Sequence, residues 1–134
     1  MNIIVHGIDI VDCRRLESLT ARHGRRFLDR VYTAREQAYC GRFVKRSAEH
    51  WAGRFAVKEA VMKALGTGWR GGIAWTDIET VNDPAGKPMV RLAGKVAQRA
   101  AELGIAQFSI SISHAGGMAV ASAVALAADN GSSD

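Results

Sequence analysis

The sequence predicts an α+β fold, one compact domain whose helices pack on a mainly antiparallel sheet. Three observations carry this. Ile3-Ile4-Val5 and Ile8-Asp9-Ile10-Val11 open the chain with a strand-like apolar run. From Asp12 to Leu65, apolar residues recur at spacings of three and four, as on a helix face. Late in the chain, Phe108, Ile110 and Ile112 alternate with Ser109, Ser111 and Ser113, the pattern of a strand with one buried face.

The elements follow in order. Gly7 bends or interrupts the first run, and Asp12 is placed to cap a helix. That helix carries Leu16, Leu19, His23, Phe27 and Val31 on one stripe, with its arginines largely off it; Gly24 weakens it as a single unbroken segment. Thr33-Ala34-Arg35-Glu36 is a capping box, so a second helix starts there. A third runs from about Ser47 to Leu65 and stops at Gly66-Thr67-Gly68. Beyond a glycine-rich connector holding Trp69, Gly71 and Gly72, two strands around Ile78–Val81 and Pro88–Leu92 are joined by the tight loop Asn82-Asp83-Pro84-Ala85-Gly86. Ala93 to Leu103 reads as a helix stopped by Gly104. Ala115-Gly116-Gly117 then turns the strand after Phe108 into its partner, Met118 to Leu126. No repeat, linker or low-complexity segment divides the chain. The domain is expected over 1–127, with a flexible tail at 128–134.

Composition narrows the function. A chain of 134 residues, 48% hydrophobic and 23% charged, has the usage of a globular protein and is long enough to bury about two-thirds of its unfolded surface. No apolar run approaches the roughly 20 residues of a membrane helix, and the first residues run into a strand rather than a signal peptide, so a cytoplasmic location is expected. Cys13 and Cys40 have neither zinc spacing nor a CxxC arrangement and read as ordinary thiols. The 18 Lys and Arg against 13 Asp and Glu, a formal charge of +5, favour a negatively charged partner: nucleic acid, a phosphorylated cofactor or an acidic protein. Arg14, Arg15, Arg22, Arg25, Arg26 and Arg30 concentrate that charge early, although such a run also suits a solvated helix face.

Several residues fit the structural pattern poorly. Asp9 shares a strand face with Ile3, Val5 and Val11, where a carboxylate must be paired, hydrogen-bonded or bound to a cation, or else cap a strand-end turn. Lys58 falls in the apolar arc of Trp51, Phe55, Met62 and Leu65, so it either snorkels past them or meets an anionic group. Glu59 and Lys63 lie one helical turn apart and could be no more than a surface ion pair. Gly66-Thr67-Gly68 could bring backbone amides to a phosphate, but the P-loop order is absent and a helix stop explains it equally well. His114, before the Ala115-Gly116-Gly117 turn, could be catalytic, capping or packing.

Taken together, Gly7-Ile8-Asp9-Ile10-Val11, Arg54-Phe55-Ala56-Val57-Lys58-Glu59-Ala60 and Lys63-Ala64-Leu65-Gly66-Thr67-Gly68 closely resemble the holo-[acyl carrier protein] synthase family of phosphopantetheinyl transferases. The signature blocks of that family read G-[IL]-D-[IL] and F-[ASV]-x-K-E-[AS]-x-x-K-A. Asp77-Ile78-Glu79, Gly86-Lys87-Pro88 and Ser111-Ile112-Ser113-His114 extend the match, which runs from Ile4 to about Leu126.

The resemblance implies transfer of 4'-phosphopantetheine from coenzyme A to a serine of apo-acyl carrier protein, in fatty acid biosynthesis. It implies that Asp9 and Glu59 hold Mg²⁺, hard oxygen ligands for a cation that also takes pyrophosphate oxygens. Lys63 would reach the coenzyme A phosphates and be catalytic with Asp9 and Glu59. Lys58 and His114 would serve the same anionic ligand, and Gly66 and Thr67 would let the backbone approach it. Arg15, Arg22 and Arg25 would grip the acidic carrier protein from the first helix. Compact homotrimers with active sites between subunits are also implied. The serine must attack the β-phosphorus and release adenosine 3',5'-bisphosphate, its proton passing to Glu59 or to a water on the metal. A small basic RNA- or nucleotide-binding module is a rival reading, but the chain lacks an RNP aromatic pair, a GXXG clamp and zinc-knuckle spacing, so no nucleic-acid partner is expected. An inactive oligomer of the same fold would have lost Asp9 or Glu59, and both are present.

Overall fold

The computed structural model describes residues 2–128. The opening apolar run forms one unbroken strand, β1 (Asn2–Asp12), with no bend at Gly7. Asp12 then caps α1 (Cys13–His23), its Oδ1 accepting from the Arg14 amide at 2.9 Å. The expected single helix is two: Gly24, at φ 57° and ψ −137°, ends α1 and starts α2 (Arg25–Val31). Thr33 and Glu36 form the expected capping box at the start of α3 (Ala34–Cys40).

The longest helix, α4 (Ser47–Leu65), has the expected bounds and ends at Gly66 in the left-handed conformation, φ 73°. A 3-10 turn at Trp75–Asp77 leads into β2 (Ile78–Asn82), paired antiparallel with β3 (Pro88–Leu92). Then come α5 (Gly94–Glu102), β4 (Ser109–Ala115) and β5 (Met118–Ala128). The strands divide into two sheets rather than one: β2 and β3 form a separate hairpin, while the main sheet runs β1-β5-β4.

The middle strand of that sheet is the last in sequence. Its register joins Asn2 to Ala128 and Asp12 to Met118 on one side, and Ser109 to Val124 on the other. Its inward face is a row of alanines, Ala119, Ala121, Ala123, Ala125 and Ala127, each almost fully buried. The helix above answers with Ala52, Ala56 and Ala60, all fully buried. Small residues on both surfaces let α4 lie close on the sheet, and Gly7 is where they come closest. A Cβ on Gly7 would stand 1.8 Å from the Ala60 carbonyl oxygen. Larger residues close the core around this seam: Leu16, Val57, Val61, Met62 and Leu65 on one side, and Ile78, Val96, Phe108 and Ile110 on the other.

The tail was expected from residue 128, but Ala128 completes β5 and its amide donates to the Leu103 carbonyl at 2.9 Å. Residues 129–134 lie outside the described residues. Among those described, no helix is long and apolar enough to cross a membrane.

Gly7→Ala should therefore force α4 away from β1. We expect a loss of about 1–3 kcal/mol or more in denaturant unfolding, the cost of overpacking a rigid seam. An unchanged midpoint would show that this approach does not constrain the fold.

Candidate active site

Where α4 crosses β1, strand parity turns Asp9 inward beside the fourth and fifth turns of the helix. Lys63 reaches across, its Nζ 3.0 Å from Asp9 Oδ1 and donating to the Ile8 carbonyl at 3.0 Å. Asp9 and Glu59 both line a cleft of about 410 Å³, whose mouth also includes Asp12, Arg15 and Phe55. On its other side Glu59 lines a smaller hollow of about 230 Å³ with Lys63, Gly66 and Trp69. Glu59 thus stands on the partition between two concavities.

Electrostatics mark the carboxylates as a strained pair. Burial pushes the Glu59 pKa above its ordinary value of 4.5, and the Asp9 charge pushes it further, while the Trp69 indole and the Lys63 ammonium act in the opposite direction. With its side chain 55% exposed, Lys63 forms an ion pair of the kind that contributes little to stability. The group is placed for chemistry more than for cohesion.

The other expected site residues are distributed differently. Lys58 is not at the site surface. It is fully buried, with its Nζ 2.8 Å from Glu36 Oε1 and donating also to the carbonyls of Trp75 and Ile78. Its three N–H donors are thus taken. Burial lowers its pKa, and the Glu36 carboxylate pulls the other way. Lys58 ties α4 to α3 and to the start of β2, a structural role in place of the expected contact with an anionic ligand.

Gly66 and Thr67 follow Lys63 by three and four residues, and Thr67 Oγ1 is buried without a hydrogen-bond partner. His114 is exposed on β4, its Nε2 2.8 Å from the Glu49 carbonyl oxygen and its ring against Gly53. Gly53 and Lys63 are ten residues apart on α4, roughly 15 Å along the axis, so His114 does not meet Asp9 within one chain. Arg15 borders the cleft. Arg22 occupies the last turn of α1, and Arg25 falls on α2 after the Gly24 break, 3.6 Å from Asp29.

Phe55 and Trp69 are site residues that sequence reasoning passed over. Phe55 precedes Glu59 by one turn, and the sequence offers it as part of the apolar stripe and of the signature block without a role of its own, while Trp69 falls in the connector.

Residues 6–122 match the family model described as the 4'-phosphopantetheinyl transferase superfamily. The chain belongs to this superfamily. Among curated relatives, a holo-[acyl-carrier-protein] synthase of Geotalea daltonii is 49% identical over 86% of this chain and 91% of its own. The crystal structure of the Neisseria meningitidis holo-[acyl-carrier-protein] synthase superposes with a TM-score of 0.81 at 33% identity, covering 90% of this chain and 96% of that one. The Helicobacter pylori synthase, solved in complex with coenzyme A, gives 0.78 at 33% identity over 90% and 98%. In this superfamily member, the two sequence blocks of the resemblance are the strand and helix that meet at Asp9, Glu59 and Lys63.

The raised Glu59 pKa has a consequence for stability. The folded chain holds the Glu59 proton more tightly than the unfolded chain, so stability falls as pH rises from the ordinary carboxylate value through the raised one. Glu59→Gln should therefore be more stable than the parent at neutral pH, by a few tenths of a kcal/mol for a half-exposed group. The advantage should vanish below about pH 4, where both states are protonated. Thermal unfolding at pH 7 and pH 4 checks this; a variant equally destabilised at both would contradict it.

Proposed function

We propose that this chain transfers 4'-phosphopantetheine from coenzyme A to a serine hydroxyl of apo-acyl carrier protein, releasing adenosine 3',5'-bisphosphate. The reading places the reaction in the cytoplasm, in service of fatty acid biosynthesis. The observation that carries it is the meeting of β1 and α4, where Asp9 and Glu59 line one cleft and Lys63, bonded to Asp9, borders the adjoining hollow.

Asp9 and Glu59 suit a magnesium ion. Both offer hard oxygens, and their mutual repulsion at a partly buried spot is relieved by a cation. Among the described residues, no three His, Cys, Asp or Glu side chains converge, so the pair would leave coordination positions for water and ligand oxygens. Magnesium bound there would supply positive charge to pyrophosphate oxygens. Lys63 adds a mobile cation beside them, able to turn from Asp9 to a phosphate. A hydroxyl arriving over the β-phosphorus must lose its proton, which the Glu59 carboxylate or a nearby water would accept. The leaving group departs as the phosphate end of adenosine 3',5'-bisphosphate.

Asp9→Asn and Glu59→Gln should each lower transfer at least about a hundredfold, the scale of lost acid–base or charge stabilisation, while remaining folded. EDTA should silence the parent. Mass spectrometry of the carrier protein provides the assay, and full activity in metal-free buffer would remove magnesium from the mechanism.

Arg15, Arg22 and Arg25 form an exposed basic margin on α1 and α2, beginning at the cleft, and we assign them to docking the acidic carrier. Arg22→Glu combined with Arg25→Glu should raise KM for carrier about tenfold or more with little change in KM for coenzyme A. Equal losses for both substrates would remove the docking role.

A homotrimer fits the outer face of the main sheet. Ile4, Ile8, Ile10 and Leu126 are between 53% and 69% exposed there, an apolar surface that suits burial against copies of itself. In such an assembly His114 could serve the ligand of a neighbouring site. Sedimentation equilibrium should return three times the chain mass, and a fully active monomer would refute the assembly.

A further inference from the structure

The outer face of the main sheet is uncharged across its middle. Alternation along β1 turns Ile4, His6, Ile8 and Ile10 to that side, away from α4, and all four are exposed. On β5 the same side carries Val120, Ser122, Val124 and Leu126, and on β4 it carries Ser109, Ser111 and Ser113. The register sets His6 opposite Val124, between the pairs Ile4–Leu126 and Ile8–Ser122. Ser109 lies beyond Val124, and Ser111 beyond Ser122.

The chain has 18 Lys and Arg, and none of them falls on these rows. Among the described residues, His6 is the one titratable side chain there. The nearest charge on the same side of β1 is Asp12, six residues on and roughly 20 Å away, where it caps α1. His114 turns to the opposite side of β4, against Gly53, and Asp9 faces the cleft. A face without like charges can close on a copy of itself, which the basic margins of α1 and α2 would resist.

Copies closing on this face bring their imidazoles into an apolar surround. A neutral ring is tolerated there, because it has one N–H to give and one nitrogen to accept, and the serine rows offer hydroxyls for both. An imidazolium is not. Its charge would lose water and meet the like charges of its copies.

We propose that His6 makes the assembly of this chain pH-sensitive: copies associate through the outer face while the imidazole is neutral and separate when it takes up a proton. The proposal rests on the homotrimer reading above. Burial in the assembly favours the neutral ring, so the separated chains bind more protons than the assembled ones and association weakens as pH falls. Imidazoles change charge between about pH 5 and pH 8, which places the transition in that interval. Because His114 would serve a neighbouring site, transfer activity should be lost along with assembly.

Sedimentation equilibrium of the full chain at low micromolar concentration and fixed ionic strength, from about pH 8 to pH 5, tests this. The parent should be assembled at pH 8. Its association constant should fall about tenfold per pH unit for each imidazole that must charge, up to about a thousandfold for three. His6→Leu, and His6→Gln, which is polar but cannot charge, should hold their association constants within about threefold across the interval. Circular dichroism at each pH separates dissociation from unfolding. A folded parent whose association is unchanged from pH 8 to pH 5, or variants that lose assembly in step with the parent, would overturn the role of His6 and leave the homotrimer standing. A parent that is monomeric at every pH would overturn the homotrimer itself, and this proposal with it.

Discussion

The site depends on how closely α4 lies on the main sheet. At Gly7 no side chain separates helix from strand, and alanines line both sides of the seam beyond it. At this separation a short aspartate on β1 and a lysine on α4 meet at 3.0 Å. Bulkier residues in the seam would lift the helix and carry Glu59 and Lys63 away from Asp9. The geometry of the charged groups is therefore set by the smallest residues in the chain, none of which touches the cleft chemistry.

A second constraint fixes the rotation of the helix. Lys58 and Glu36 form a fully buried ion pair, and Glu36 also caps α3 and accepts from the Thr80 amide. Such a pair gains little over an apolar substitute, yet losing one partner would strand a charge and cost about 3–5 kcal/mol. It joins three elements at one point. Because Lys58 and Glu59 are adjacent, the bolt that holds one inward presents the other to the cleft.

Much of this was legible in the sequence, and the exceptions share a cause. The bounds of α4, the Thr33–Glu36 capping box, the Asp12 cap and the late hairpin all follow from signals within a few residues of each other. The break at Gly24 was signalled by a glycine inside a helical stripe. Gly7 is visible too, but local sequence suggests only a bend there, because the atom it avoids, the Ala60 carbonyl oxygen, is far away in sequence. Lys58 stands out as a charge in an apolar arc that must snorkel or meet an anion; the anion is Glu36, 22 residues away, whose local signal is only that of a helix cap. His114 resembled a site residue by motif and lies at the other end of α4. Separation into two sheets depends on where the β2–β3 hairpin docks, which no local pattern encodes. Local signals fixed the elements, and long-range pairing decided what each exceptional residue faces.

The strand order also bears on how the protein is made. β1 is synthesised well before β5, its one sheet partner among the described residues, with residue 2 opposite residue 128. Until β5 emerges, the apolar segment bearing Asp9 has no strand to pair with and a water-averse face uncovered. Biogenesis thus waits on β5: a nascent chain stalled before it holds Asp9, Glu59 and Lys63 and yet lacks the strand that completes the floor beneath them. Such an intermediate is a natural client for chaperones, and its assembly should be slow relative to the formation of its helices.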